Sequence, residues 1–344
     1  MPPAPYELRS ARTDDYEALS ALAISSADTG AVRVAPRYLC NPVAVWGALK
    51  PELEWVVAEA ESGGLIGAAQ VTLSETEVGG ERHPYAGLSG LMVHPEHRRR
   101  GVAAALTRWR LDRAGPDAVV AAAIQTGNVG SIANARGWAT QTFGRLTVPV
   151  FTAKRRSTSR SGLEIREPEN DDEWDQAAAG LEAFERGWNL RHPVTGASMR
   201  ERASRAFEGQ RLQRYLIAVE GAEVRGGFEL FEAAQLQTIV FEDAPLLLRG
   251  LNVLVRVVPR DRELRENSLS RVWYEPGRDD VARTLWEAAR SAAGESGNAV
   301  GTQVDLRTPL RELLPVRPWT LKGAASVAVR SPVRLDESRL LSPP

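Results

Sequence analysis

Residues 88–106 read LSGLMVHPEHRRRGVAAAL, and they hold the residue types that could bind an anion. The apolar run at 88–93 reads as a strand, and Pro95 must end it, because proline cannot donate to a ladder. Arg98, Arg99 and Arg100 come next, then Gly101, then Val102, Leu106 and Trp109, which mark one face of a helix. The N-terminus of such a helix exposes unpaired amides and the positive end of the dipole, so it is a ready anion site. Gly101 lets a phosphate approach the backbone closely. Ala103 is too small to block it, and the arginines add charge-assisted contacts. Charge and spacing alone leave two readings open: a phosphate or pyrophosphate site, and a solvated basic loop opening an ordinary helix.

The arrangement resembles motif A of the GNAT superfamily, V-x-P-x-x-[QR]-x-x-G-x-[GA], with Val93, Pro95, Arg98, Gly101 and Ala103 in those positions. The resemblance covers about residues 5–150. It implies an acyl-CoA, most simply acetyl-CoA, as acyl donor. In this family the motif strand splays from its neighbour, and the pantetheine arm pairs with it like an added strand. Leu91, Met92 and Val93 would then meet the pantetheine and the acyl carbonyl. The amides of Arg99, Arg100, Gly101, Val102, Ala103 and Ala104 would hold the pyrophosphate, beside Arg98. The Val93 N–H would polarise the thioester carbonyl, an oxyanion-type contact. Residues 125–138, QTGNVGSIANARGW, resemble motif B. There Asn128 is the expected N-cap of a short helix and, by the resemblance, a candidate pantetheine contact. Gly137 ends that helix.

Two departures from the family bear on catalysis. Many members carry a tyrosine late in the motif B helix to protonate the leaving thiolate, where this chain has Ala133, Asn134 and Ala135. No carboxylate stands early in the motif A strand, which opens Gly87-Leu88-Ser89-Gly90. The remaining catalytic candidates are Ser131, His83, with an ordinary pKa of about 6.5, and Tyr85. Glu75, Glu77, Glu81 and His83 are expected in a solvated turn before the strand. Two functions follow: an N-acyltransferase acting on an amine, or an acyl-CoA-binding sensor or scaffold that has lost turnover. The acceptor class is a small-molecule, aminoacyl or peptidyl amine.

The elements around the motif recur. Glu7-Leu8-Arg9 with Asp14-Asp15 returns as Glu164-Ile165-Arg166 with Asp171-Asp172. Each reads as a strand followed by the acidic first turn of a helix. The β-rich runs 55–59 and 65–71 return as 216–220 and 224–230, each pair joined by a glycine or polar turn. Leu91-Met92-Val93 with its helix returns as Arg271-Val272-Trp273 with Val281, Ala282 and Leu285, and strands at 118–125 and 299–304 follow. This order points to duplication rather than one large mixed sheet. The expected fold is α/β of the mixed α+β kind. Two GNAT-like domains, 1–152 and 163–344, are joined by a basic, Ser-rich linker at 153–162. Each would be a mostly antiparallel sheet flanked by helices.

Aligning Val93 with Val272 sets Arg278, Asp279 and Asp280 against Arg99, Arg100 and Gly101. Carboxylates there would repel a phosphate, so the second domain is expected to be a degenerate copy that packs on the first or shapes the acceptor site. Trp174, Trp188, Trp273, Trp286 and Trp319 read as core, with an aromatic acceptor cleft as the alternative. The apolar run 246–258, broken by Arg249 and Arg256, is expected to be buried or at a domain interface rather than in a membrane.

Composition narrows the class. The 344 residues carry a net charge of −1, with 43% apolar and 25% charged residues, so no global basic field favours nucleic acid. No apolar run has the length of a membrane span, and no secretory signal is expected at the start. Cys40 is the only cysteine and the four histidines lack ligand spacing, so no disulfide or metal is expected. A cytoplasmic monomer or homodimer is the expectation.

Overall fold

A computed structural model describes residues 6–26, 33–154, 162–243, 261–317 and 320–343. Most of the expected linker, the run 246–258 and Trp319 lie outside the described residues. The first half runs β1 (Tyr6–Ser10), α1 (Tyr16–Ser25), β2 (Arg33–Tyr38), α2 (Pro42–Leu49), β3 (Leu53–Ala60), β4 (Leu65–Val78), β5 (Glu81–Val93), α3 (Val102–Ala114), β6 (Val119–Gln125), α4 (Val129–Ala135) and β7 (Gln141–Thr152). The second half opens with β8 (Glu164–Arg166), α5 (Asp171–Phe184), α6 (Gly196–Ser204), β9 (Ala206–Phe207), β10 (Gln210–Arg211), β11 (Gln213–Glu220) and β12 (Glu223–Phe231). It continues with β13 (Gln237–Asp243), β14 (Glu263–Leu264), β15 (Glu266–Tyr274), α7 (Asp279–Ser296), β16 (Ala299–Thr302), β17 (Val304–Asp305), α8 (Leu310–Leu313) and β18 (Leu321–Arg330).

The halves repeat down to single contacts. An arginine late in the first strand clamps an acid near the start of the next helix. Arg9 donates to both carboxylate oxygens of Asp15 at 2.8 and 2.7 Å, and Arg166 to both of Glu173 at 2.8 and 2.7 Å. Both central ladders break at a bulge. Ala68 pairs with Met92 but Gln70 with Ser89, and Gly227 pairs with Trp273 but Glu229 with Ser270. The bulged residues are left-handed, Gly90 at φ 58° and Arg271 at φ 49°. Beside them Ser89 donates to Gln70 and Ser270 to Glu229, both at 3.0 Å.

These pairings correct the alignment of the halves. They equate Val93 with Tyr274, not with Val272. Val102 follows Val93 by nine positions and Val281 follows Tyr274 by seven, so the loop into the second helix is two residues shorter. A gapless comparison cannot see a deletion between a strand and a helix that both read alike.

The sheet departs from expectation in one respect. Two separate sheets are expected, whereas one continuous sheet runs β1-β3-β4-β5-β6-β18-β7-β16-β15-β12-β11-β8. Its continuity comes from exchanged ends. β18 of the second half pairs antiparallel with both β6 and β7, and β7 of the first half pairs with β16. Each last strand thereby covers an edge that the other half would leave open. Its strand pairs are antiparallel except β5–β6 and β15–β16. A smaller sheet, β14-β13-β2, also joins the halves.

Apolar helix faces seat on this sheet. Val102 and Leu106 of α3 pack on Val56, Ala58 and Ala69. Val281, Leu285 and Trp286 of α7 pack on Phe228 and Leu230. Gly67 is required under α3, since a Cβ there would lie 2.8 Å from Val102. Trp174, Trp188, Trp273 and Trp286 are all buried, so they belong to the core and not to a cleft.

Candidate functional site

The bulge at Gly90 turns β5 away from β6. β5 pairs with β6 only at Tyr85, Ala86 and Gly87. From Leu88 to Val93 its β6-facing edge has no strand partner among the described residues. The His94 N–H donates to the Ile66 carbonyl on the β4 side at 2.9 Å. Backbone groups alternate along a strand, so the N–H and C=O of Val93 face the open edge. The Val93 carbonyl accepts from Arg98 Nε at 3.2 Å, which sets that guanidinium at the end of the gap.

A buried arginine supports the bulge. Arg110 of α3 is 2% exposed. Its Nη1 donates to the Gln70 and Ser89 carbonyls at 3.2 Å each, and its Nη2 to the Thr107 hydroxyl at 3.0 Å. Backbone carbonyls freed by the broken ladder are thus satisfied. Burial pushes the Arg110 pKa down to about 10. Sequence reasoning passed over this residue. Its one signal was a position four after Leu106, on the helix face that turns inward.

The loop between β5 and α3 forms an open cup. Arg99 and Gly101 are both left-handed, at φ 62° and 84°. Alternation of this kind gathers backbone N–H groups into an anion-binding concavity. No side chain caps α3, and Ala105 makes the first helical bond, to the Gly101 carbonyl at 3.0 Å. The amides of Val102, Ala103 and Ala104 are left for another acceptor. Arg98, Arg99 and Arg100 are exposed. Nothing lies within 4 Å of a Cβ built at Gly101.

Just after β6, Asn128 caps α4 by accepting from the Ser131 N–H at 3.0 Å. Asn134, in the run where the family often has tyrosine, donates to the Thr107 hydroxyl at 2.8 Å and ties α4 to α3.

The second copy repeats the bulge but closes the cup. Arg278 donates to Glu220 at 3.0 and 3.1 Å and to Asp280 at 3.0 and 2.9 Å. Its hydrogen bond, with help from the Val281 amide, holds the Asp280 carboxyl down at about 2. The positive end of α7 therefore already carries an anion. The Tyr274 hydroxyl donates to the Pro309 carbonyl at 3.2 Å, and Leu310, Leu313 and Leu314 join the core around Tyr274 and Trp286.

The acidic candidates do not stand in a turn. Gly79 and Gly80 make it, at φ 66° and 92°, while Glu75 and Glu77 lie on β4 and Glu81 and His83 on β5. The hairpin is simply longer than its polar sequence implied. Glu77 is taken up by an ion pair with Arg191. His83 pairs across from Thr76, away from the open edge.

Tyr85 is different. It is buried at 3% exposure, and its hydroxyl lies 3.3 Å from where a Gly87 Cβ would be, at the last pair before the gap. That hydroxyl makes no hydrogen bond, and burial raises its pKa. His192, which sequence reasoning did not single out, packs edge-on against the Tyr85 ring at 4.7 Å and 81°. Its Nδ1 lies 3.0 Å from the Glu75 carbonyl. Burial pushes its pKa down to about 4, with Arg271 and Arg202 acting in the same direction.

Among the described residues no His, Cys, Asp and Glu group could hold a metal, and no helix is long and apolar enough to cross a membrane.

Residues 8–140 match the family model described as an acetyltransferase (GNAT) domain. No curated protein matches the sequence. Among solved structures, N-myristoyltransferase from Saccharomyces cerevisiae with bound myristoyl-CoA is 12% identical, with a TM-score of 0.63 over 95% of this chain and 84% of that one. A GCN5-related N-acetyltransferase from Sphaerobacter thermophilus is 15% identical, with a TM-score of 0.58 over 97% and 99%. Another, from Kribbella flavida, is 15% identical, with a TM-score of 0.51 over 95% and 71%. At such identities the likeness is one of fold.

Proposed function

Because residues 8–140 carry a GNAT acetyltransferase domain, we propose that this protein is an acyl-CoA-dependent N-acyltransferase that binds its donor in the first half of the chain. The observation that carries this reading is the pairing of an open strand edge with an uncapped basic helix start in the first half, while the second half fills its own helix start with Asp280. The pantetheine arm would extend β5 along Leu91, Met92 and Val93. The pyrophosphate would sit on the amides of Arg99, Arg100, Gly101, Val102, Ala103 and Ala104, with Arg98 beside it and Asn128 across the gap. The Val93 N–H would polarise the thioester carbonyl. A neutral amine then attacks the carbonyl carbon; the C–N bond forms, the C–S bond breaks, and one proton passes from nitrogen to sulfur.

Acetyl is the proposed acyl group, and the acceptor a small-molecule, aminoacyl or peptidyl amine. Residues 1–152 and 163–344 are the proposed domains, with 153–162 as linker and the second domain a degenerate copy. Calorimetric titration with acetyl-CoA should show one site per chain; two equivalent sites would sink the degenerate assignment. CoA thiol release against a panel of amines tests the chemistry. Asn134, spent on Thr107 where the family often has tyrosine, favours a sensor as the second reading. Tight acetyl-CoA binding without thiol release would establish that reading instead.

A further inference from the structure

Resting on the donor site proposed above, we infer that a basic recess between the halves, built around Lys50, Arg202 and Arg271, binds a carboxylate carried by the acceptor amine.

Lys50 carries the argument. It stands at the C-terminal end of α2. Among the described residues its Nζ has aromatic faces beside it, Trp46 at 5.0 Å and Phe231 at 5.7 Å, and no carboxylate within ion-pair distance. Burial pushes its pKa down to about 8, with Arg202 and Arg271 acting in the same direction and Glu229 and Glu52 against it. An ammonium buried without an anion is costly, and ring faces replace only part of its lost hydration. The negative end of the α2 dipole offsets a little more.

The carboxylates nearby are already engaged. Arg271 donates to both oxygens of Glu229 at 3.0 Å each, and Ser270 donates to one of them at 3.0 Å. Arg202 Nε stands 3.1 Å from the same carboxylate, yet it makes no hydrogen bond. Glu52 accepts from Arg205 at 3.2 Å and lies 4.0 Å from Arg202. Glu185, on which Arg271 also acts, is pushed by burial up to about 7. Three cations thus share Glu229, and Lys50 is left without a counter-charge. A carboxylate supplies what Lys50 and Arg202 Nε both lack.

The cluster is deep but open to water. Burial lowers the Arg202 pKa, yet its side chain keeps 22% of its surface exposed, and Arg271 keeps 20%. Groups both deep and wetted line a recess rather than a dry core. Ser268, two positions before Ser270 and on the same face of β15, is exposed.

The recess adjoins the donor strand. Lys50 and Trp46 come from the first half, and Arg202, Phe231 and Arg271 from the second. Trp46 packs against the cluster of Leu19, Trp55 and Ala68, and so does Met92 of β5. Leu91 and Val93 face α3 on the other side of the sheet. An acceptor held by its acid at Lys50 therefore lies on the Met92 face of β5, with its amine free to extend towards the open edge.

The test has two arms, both on the full chain. The chain has three lysines, Lys50, Lys154 and Lys322, so 13C labelling at lysine Cε gives three signals, and Lys50→Met assigns the one it removes. Glutarate should raise the Lys50 pKa by about one unit or more, as an opposite charge in contact does. Glutaramide should leave it in place, and inorganic phosphate should raise it less. Lys50→Met should bind acetyl-CoA as wild type does and lose at least about tenfold in glutarate affinity by calorimetry. Its Tm should hold or rise, because an unpaired buried charge is gone. In the second arm, thiol release from acetyl-CoA is compared for 5-aminopentanoate and pentylamine. Wild type should favour the acid about tenfold in kcat/KM, and Lys50→Met should not favour it. Failure of wild type to bind acetyl-CoA removes the donor site and the acceptor role with it. An unmoved Lys50 signal in a protein that binds acetyl-CoA overturns the recess alone. A larger rise with phosphate than with glutarate overturns the carboxylate assignment. A fall in Tm without loss of glutarate affinity marks a structural lysine and overturns the site. So does a wild type that binds acetyl-CoA and glutarate but uses the two amines equally or not at all.

Discussion

Gly101→Ala separates the cost of folding from the cost of binding an anion. At φ 84° an alanine suffers left-handed strain of about 1–2 kcal/mol. Stiffening of the unfolded chain offsets about 0.4–1 kcal/mol of that. No clash adds to it, because no atom lies within 4 Å of the new Cβ. The net destabilisation is roughly 1 kcal/mol, a fall in Tm of about 2–4 °C for a domain of this size. Binding should suffer more. The new methyl occupies the space through which a phosphate reaches the amides of α3. Losing one charge-assisted hydrogen bond removes about 1.5–3 kcal/mol, which weakens Kd about 10- to 150-fold. Calorimetry with acetyl-CoA and with S-acetylpantetheine, which has no phosphate, reads the difference. Acetyl-CoA should bind less tightly and S-acetylpantetheine as before. Equal weakening of both ligands, or of neither, would show that no phosphate sits at Gly101.

Arg110→Met keeps the apolar stem but removes the donors to Gln70 and Ser89. It should cost about 2–4 kcal/mol through two carbonyls left unpaired, read as a lower denaturant midpoint; a shift within error would mean the bulge does not depend on it. Because the folded His192 pKa is depressed to about 4, the unfolded chain binds more protons between that value and the ordinary value of about 6.5. Its contribution to stability is thus whole above pH 6.5 and declines as pH falls towards 4. His192→Gln should flatten that decline in urea titrations. Ser131→Ala should change kcat less than about tenfold, since the residue's fixed contact is its amide on Asn128; a hundredfold loss would restore it as an acid.

The cup was legible because it is local. Strand end, arginines, glycine and helix start fall within residues 88–106, and chain geometry alone brings them together. The repeat of elements was legible from their order, and the acidic start of α7 from Asp279 and Asp280, since a carboxylate favours the positive end of a helix in any fold. The register of the repeat was not, because 271–273 and 272–274 both read as a short strand and only the ladder partners Gly67 and Gly226 decide which of them matches 91–93. Arg110 was hidden for a related reason: its partners are backbone carbonyls, which every residue has, so no residue type announces them.

What the sequence determined by itself is therefore the basic loop, the helix behind it and the repeated order of elements, all set by neighbours along the chain. Tertiary structure alone decided the exchange of β7 and β18, the parting of β5 from β6, and the arrival of His192 beside Glu75, 117 positions away. Strand pairing is made by backbone groups common to all residues, and a contact across such a separation is chosen by which surfaces remain to be buried once the local elements have formed.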